Sequence, residues 1–416
     1  MKIVLASEYY YPQTKGGTEM YVHQLAKQLI LNGHDCLIIS LSDDSKEDEY
    51  DGVKIKYIPF LKGEFQESIN PNNLYYLMSI IDSFNPDIFH LHTLSPSLGA
   101  NHLLHLEKNG YKTVFTTHLP NFTCNRGDLL RNGTDVCDGL VEYNKCMSCE
   151  LNKLGVKNRF LSRILIEFSK YKTIRHFIPA LSGVHNKIQQ INIFKNIHKI
   201  ITVSNWQKKV LALNKFVEED ISVVRQSISS DCILDEKINK VHSKIRFGYI
   251  GRVVPEKGFH LLYSSLKDLP INSYQLMVAA ILSPSHFQYY TKQKELISKL
   301  SSNWIENIES NEVISFLDQL DVLLVPSTWL ETGPYVIYEA LARKIPVIAF
   351  HRGGAIELIE NQVNGILVNT EQEFKKEIKN IVSHPETLDH LISNINLTRT
   401  TKHLYSEMEK IYSEII

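Results

Sequence analysis

The sequence predicts an α/β protein with two doubly wound, parallel-sheet domains. Three observations carry this. A chain of 416 residues is too long for one ordinary domain, so two are expected. Short apolar runs of buried-strand length, such as Lys2–Ala6, Ile245–Gly251 and Val322–Val325, alternate with segments of helical spacing. Glycine turns stand where strand hands over to helix, at Gly16-Gly17, Gly258 and Gly353-Gly354.

Composition narrows the class. With 43% apolar and 22% charged residues the chain reads as soluble and globular. A net charge of −1 gives no general pull toward nucleic acid. The N-terminal MKIVLASEYYYP has too short an apolar run for a signal peptide, and no window approaches a membrane span. The expectation is a cytoplasmic protein whose six cysteines are reduced.

In the first half, Lys2–Ala6 is a strand and the loop Ser7–Lys15 ends at Gly16-Gly17-Thr18. A helix follows with Tyr21, Leu25, Leu29 and Ile30 inward, stopped at Asn32-Gly33. Cys36–Ser40 is the second strand. The turn is not G-x-G-x-x-G, and no acid closes the second strand as in a dinucleotide enzyme. Pro86-Asp87 leads into the strand IFHLH, where His90 and His92 point to one side. They read better as polar strand-end residues than as a metal site. TVFTTHLP is a further strand, and it puts His118 at its carboxyl edge.

Cys124, Cys137, Cys146 and Cys149 follow as C-x12-C-x8-C-x2-C, punctuated by Gly127, Gly133 and Gly139. A long loop without its own core calls for a staple or a function. In a reducing compartment the staple is a structural zinc held by four thiolates; disulfides, free thiols and an iron–sulfur cluster are the alternatives. From Lys153 to Lys199 ten cations face one acid, Glu167, with Phe160, Leu161, Ile164, Leu165 and Phe168 interleaved. Such a stretch either contacts an anionic membrane face peripherally or forms a solvated cationic face. KIITV, a helix capped by Ser204, and a strand at Ile221–Val224 complete the half. Ser229–Lys244 is polar and irregular, as a linker would be.

The second half opens with the strand Ile245–Gly251. Arg252 leaves its tip and Lys257 begins the next helix, so both cations can reach one diphosphate. A strand at Tyr274–Ala280, a helix over Ser283–Leu300, a strand at Trp304–Ile308 and a helix at Glu312–Leu317 follow. Then comes Val322–Glu357: strand, Pro-Ser turn, helix Tyr335–Arg343, strand VIAF, and a helix entered at Gly353-Gly354. Glu331 lies in the loop and Glu339 about one turn into the helix. Gly333 frees the backbone at the helix start, whose N–H groups and dipole suit a phosphate. A phosphate flanked by two carboxylates fits a nucleotide-diphosphate sugar with hydroxyls at both ends. Gly365–Val368 and two helices close the chain, the last amphipathic through Leu404, Met408, Ile411 and Ile415.

ETGPYVIYEALARKIPVIAFHRGGAIE resembles the signature E-x-F-G-x-x-x-x-E-A-x-A-x-G-x-P-V-I-A…GG..E of the retaining glycosyltransferases of family four. Gly251, Arg252, Lys257 and Gly258 match the same family's G-R-x-x-x-x-K-G. Gly333-Pro334 replaces its Phe-Gly pair, Lys344 stands where Gly is usual, and Leu119 replaces an Asp after His118. A subset of that family has a similar Cys-rich insertion.

The resemblance implies a GT-B fold, two Rossmann-like domains facing a cleft. It implies an N-terminal acceptor-side domain over 1–230 with the insertion at 120–150, a linker at 231–244, a nucleotide-sugar domain over 245–398, and a helix at 399–416 crossing back to the first. It implies sugar transfer with retention from a UDP- or GDP-sugar to a glycan or lipid-linked acceptor, without a catalytic metal. By position, His118, Arg252, Lys257 and Glu331 are the catalytic candidates. Gly16, Gly17, Gly333, Pro334, Tyr335, Glu339 and Gly354 are the donor-binding candidates. The rivals are an epimerase or phosphorylase of the same fold, and a non-catalytic sugar-binding scaffold.

Overall fold

The computed structural model describes residues 1–60, 70–234, 243–397 and 399–416. It falls into two compact units. One comprises Met1–Gln226 with Thr401–Ile416, the other Ser227–Thr400.

Among the described residues the first unit's strands are β1 (Lys2–Ala6), β2 (Asp35–Ser42), β3 (Lys46–Tyr50), β4 (Val53–Pro59), β5 (Ile88–Leu91), β6 (Lys112–Thr117), the small pair β7 (Leu130–Arg131) and β8 (Asp135–Val136), β9 (Lys199–Thr202) and β10 (Ile221–Val223). The main sheet runs β10-β9-β6-β5-β1-β2-β4-β3. All its neighbours are parallel except β3 against β4. The central strands β1, β2, β5 and β6 are buried along nearly their whole length, as strands of a parallel sheet are. The edge strand β3, KEDEY, is charged and exposed, which protects an open edge from further pairing.

The helix Thr401–Ile415 belongs to this unit. It packs on the helix Gly17–Leu31 and buries Leu404, Met408, Ile411 and Tyr412. Its Tyr412 hydroxyl reaches His90 Nδ1 at 2.6 Å.

The second unit's strands are β11 (Ile245–Arg252), β12 (Tyr274–Ile281), β13 (Ser302–Glu306), β14 (Val322–Val325), β15 (Val347–Phe350) and β16 (Gly365–Val368). They run β13-β12-β11-β14-β15-β16, every neighbouring pair parallel. The helix Tyr335–Ala342 ends in a Schellman turn: Ile345 N–H donates to Ala340 O at 2.8 Å and Lys344 N–H to Leu341 O at 3.0 Å. Lys344 takes the left-handed conformation there, φ +59°, at the position where the resembled family has Gly.

Several expectations change. The residues expected to be a linker from 231 are partly built into the second unit: Leu234 N–H donates to Ala342 O at 2.8 Å, and Cys232 O accepts from Arg343 at 3.1 Å. Residues 235–242 of that segment lie outside the described residues. Gly353–Glu357 is a 3-10 turn, too short to be the expected helix. The cysteine stretch has a core after all. Its helix Tyr143–Lys153 carries Cys146 and Cys149, and Met147 and Leu151 pack with Ile166, Leu181 and Val184. The ten cations after it do not form one face. Arg175 is buried, donating to Ser169 O and Lys170 O, and Lys187 donates inward to Asn121 O.

Candidate active site

Ligands of doubly wound sheets bind beyond the carboxyl ends of the strands, where strand order reverses. In the second unit that point lies between β11 and β14. The loops leaving these neighbours carry Lys257 and Glu331, which are 74 residues apart in sequence.

Backbone contacts fasten the loops together. Thr328 N–H donates to Glu256 O at 2.9 Å, and its hydroxyl donates to the same oxygen at 3.1 Å. Gly258 has φ +64°, and a Cβ there would overlap the Pro326 carbonyl. Only glycine allows both the conformation and the approach. The turn after β15 closes in from beside them. Gly354 N–H donates to Glu331 O at 2.6 Å, and a Cβ on Gly354 would lie 2.7 Å from Thr332 O. Arg352 Nη1 donates to Thr328 O at 2.7 Å.

This frame fixes Glu331, which is 8% exposed. One carboxylate oxygen accepts from Lys257 Nζ at 2.5 Å and from Ser327 Oγ at 2.7 Å. The ammonium also lies 5.5 Å from the centre of the Trp329 ring. Burial pushes the Glu331 carboxyl up, but the Lys257 ammonium and the side-chain hydrogen bonds outweigh it, so the net shift is down. The Glu331 carboxyl is therefore ionised at neutral pH. Arg252 extends into solvent from the end of β11. The Tyr249 hydroxyl, donating to Arg252 O at 2.7 Å, feels both charges. Burial and the Glu331 carboxylate push its pKa well up, and Arg252 opposes them.

Pro334 caps the helix Tyr335–Ala342, so its first N–H groups point to the same rim as Gly333. Tyr335 is the first helical residue. Glu339 stands one turn further in, and burial pushes its carboxyl up to about 7. Its charge in turn raises the nearby Cys232 thiol, after burial. The structure thus joins Lys257, Glu331, Gly333 and Gly354 in one contact network. Arg252 stands at the exposed end of β11, and Glu339 lies one turn into the helix that follows Gly333.

In the first unit Gly16 is the N-cap of the helix Gly17–Leu31. Glu19 folds back there and accepts from the Thr14 hydroxyl at 2.8 Å; a Cβ on Gly16 would overlap its carboxylate. His118 follows β6 and is buried. Its Nε2 lies 3.0 Å from His92 Nδ1, and its ring meets Tyr21 edge-on at 4.7 Å. His90 stacks 4.0 Å from His92 and bonds Thr116 at 2.7 Å. Burial pushes His118 down to about 3, and His90 and His92 well below their usual value. These rings are neutral, and each then has one donor and one acceptor nitrogen.

Cys124, Cys137, Cys146 and Cys149 are free thiols that line one cavity of about 30 Å³. Asn132 N–H donates to Cys149 Sγ at 3.2 Å. Burial pushes the Cys137, Cys146 and Cys149 thiols up. Among the described residues no three His, Cys, Asp or Glu side chains are grouped as a metal-holding set.

Sequence reasoning missed Trp329 and the His92–His118 pair as site neighbours. Trp329 stands inside the motif stretch and was legible there as an aromatic residue beside Glu331. The histidine pair depends on β5 and β6 being adjacent, which spacing alone does not state.

Comparison with known proteins agrees with this geometry. A "Glycosyltransferase Family 4" domain matches residues 15–231 and a "Glycosyl transferases group 1" domain matches residues 233–397. An uncharacterised 42.6 kDa protein in the cps region of Klebsiella pneumoniae is 25% identical over 86% of this chain and 87% of its own. The capsular polysaccharide biosynthesis glycosyltransferase CapM of Staphylococcus aureus is 27% identical over 53% of this chain and 59% of its own. In fold, the chain is similar to Anabaena HepE solved with UDP and glucose, with a TM-score of 0.69, 14% identity and full coverage of both chains. With the family 4 domain alone spanning more than half its length, and the group 1 domain most of the remainder, this chain belongs to the family 4 glycosyltransferases of GT-B fold.

Proposed function

We propose that the chain transfers a sugar, with retained configuration, from a nucleotide-diphosphate sugar to a glycan or lipid-linked acceptor in polysaccharide synthesis. The observation that carries this is the Lys257–Glu331 pair, held at the second sheet's switch point by glycine-packed loops. The UDP in HepE and the capsular role in CapM's name support the donor class and the setting.

As the sugar bond breaks, negative charge gathers on the leaving diphosphate. Lys257 spends one N–H on Glu331 and has others for a phosphate oxygen; Arg252 adds a planar fork. The helix start at Gly333, Pro334 and Tyr335 supplies backbone donors, and Gly354 keeps the backbone close enough to use them. Glu331 accepts from sugar hydroxyls and Glu339 from the ribose. By the family resemblance, Gly16 and Gly17 are the first unit's candidates for phosphate binding, and neutral His118 is its candidate for sugar binding. With cations neutralising the diphosphate, no catalytic metal is needed. The donor is tested by a thermal-shift screen of UDP- and GDP-sugars: a stabilising donor is expected, and a flat screen overturns the reading.

Two finer proposals accompany it. The first concerns the helix Arg159–Ser169, which turns Ser162 and Ser169 inward and leaves Phe160 74% exposed, with Leu161, Ile164 and Phe168 beside it. Phe177, 80% exposed, lies downstream, and Arg159, Arg163 and Lys170 flank the stripe. An uncovered apolar stripe edged by cations fits an anionic membrane surface, and the proposal is a peripheral contact with the inner face of the membrane. No helix among the described residues is long and apolar enough to cross one. Sedimentation with anionic vesicles should fall when Arg159 and Arg163 become Glu; unchanged sedimentation removes the proposal.

The second concerns the four thiols around one cavity, a soft donor set of the number zinc takes, although among the described residues no three of them are drawn together as a metal-holding set. We propose a structural zinc there, joining β7 and β8 to the helix Tyr143–Lys153. Metal analysis of the folded chain should find one zinc, and a metal-free folded chain sinks it.

A further inference from the structure

The first unit has a second site on the sheet edge that carries His118. The segments following β5 and β6 bring Leu94–Pro96, Asn121 and Asn125 to this edge. The helix Tyr143–Lys153 and the helix Gly183–Phe194 close over them, adding Glu150, Asn186, Lys187 and Gln190. They enclose an open cavity of about 330 Å³, within the range of roughly 300–1,000 Å³ typical of small-molecule sites.

Its polar groups are not fully used. Among the described residues Glu150 Oε2 is buried without a hydrogen-bond partner, and the Asn125 side chain lines the same cavity. Lys187 Nζ donates to Asn121 O at 2.6 Å and to Gln190 Oε1 at 3.3 Å, which leaves its third N–H for a guest. Burial lowers this ammonium's pKa to about 8. A buried acceptor left unpaired is costly, so Glu150 Oε2 stands ready for a donor that enters the cavity.

The chemistry selects the guest. One cation and one anion cancel, so a charged ligand gains little. Carboxamides offer a donor and an acceptor side by side, as do adjacent hydroxyls on a sugar ring. Leu94, Pro96 and Leu154 give apolar walls for the ring's C–H face. Leu154 and Ala180 also stand at the rim, Ala180 two residues after the exposed Ile178, so the cavity opens beside the apolar, cationic face.

We propose that this cavity is a subsite for a neutral pyranose of the acceptor, with Glu150, Asn125 and Lys187 holding its hydroxyls. The proposal rests on the glycosyltransferase reading above and gives that reading its acceptor class.

The test uses the full chain and methyl glycosides of glucose, galactose and N-acetylglucosamine, followed by saturation-transfer NMR. At least one should bind the unaltered protein. Glu150→Ala should weaken it at least about fivefold. So should Gly183→Ala, whose Cβ would lie 2.5 Å from Asn125 Nδ2 and displace that carboxamide. Asn125→Ala, which only shortens a side chain lining the cavity, is the third variant and should weaken binding likewise. UDP affinity, read by calorimetry, should stay within twofold in all three. Glycosides that bind every variant equally, or none that bind at all, overturn the subsite. Failure of the unaltered chain to bind either UDP or GDP would instead overturn the donor reading, and the glycoside result would stand by itself.

Discussion

The second unit's sheet edge carries a carboxylate kept ionised by an ammonium 2.5 Å away, whereas the first unit's carries three histidines kept neutral by burial. Both edges belong to parallel doubly wound sheets, and both bury polar side chains at a strand's end. The difference lies in what balances the burial. Glu331 has a cation and a hydroxyl aimed at it; His92 and His118 have each other and a tyrosine ring. Charge handling thus belongs to the second unit, and neutral hydrogen bonding to the first.

The largest expected effect tests that division directly. Glu331→Ala should lower kcat/KM by about 10²–10³, and His118→Ala should cost roughly tenfold less than that. Steady-state kinetics with the donor found by screening decide the order, and a reversal breaks the comparison. Next come two glycines, both with positive φ. Gly258→Ala forces a Cβ into the Pro326 carbonyl and should cost about 3 kcal/mol or more. Gly155→Ala, with φ +90° and open space around it, should cost only about 1 kcal/mol. Denaturant midpoints measure both, and equal losses would mean that the loops of the second unit are not locked as described.

A pH scan separates the two edges by sign. With Glu339 raised to about 7 and proposed to grip the ribose, the carboxylate is the stronger acceptor, so the nucleotide should bind a few-fold tighter at pH 8 than at pH 6. Glu339→Gln should abolish that slope. The raised folded pKa contributes stability that is full below the unfolded value and lost as pH climbs through about 7, so the unliganded second unit weakens toward alkaline pH. His118 runs the other way. Its depressed pKa contributes stability present above the ordinary histidine value and lost as pH falls toward about 3. Its imidazole carbon shifts should stay flat from pH 5 to 8, and titration there would contradict the neutral edge. The smallest effect concerns Lys344. Replacement by Gly relieves a left-handed residue but removes the bond from its Nζ to Ile395 O, 2.8 Å long, so stability should rise by at most about 1 kcal/mol.

What the sequence disclosed follows from the range of each interaction. Gly258, Gly353 and Gly354 were readable because a sharp strand-to-helix turn leaves a local mark. Lys257 and Glu331 were readable as motif residues, but their contact was not, because it depends on β14 lying beside β11. The strand β4, VKIKYIP, alternates in plain view, and the helix Pro71–Phe84 begins with a proline behind an asparagine cap that accepts from Asn72 and Asn73. Neither was read, although the signal was local. The packing of Met147 and Leu151 with Ile166 and Val184 was hidden for the opposite reason, since its members come from separate helices and share no period.

The chain passes from the first unit to the second after Gln226 and returns at Thr401, and Tyr412 then completes a hydrogen bond to His90. A ribosome makes these partners more than three hundred residues apart, at about 5–20 residues per second. The first unit to emerge is therefore the last to be finished. While the intervening residues are translated, the inner face of the helix Gly17–Leu31 waits without its cover, an open apolar surface for a chaperone to shield.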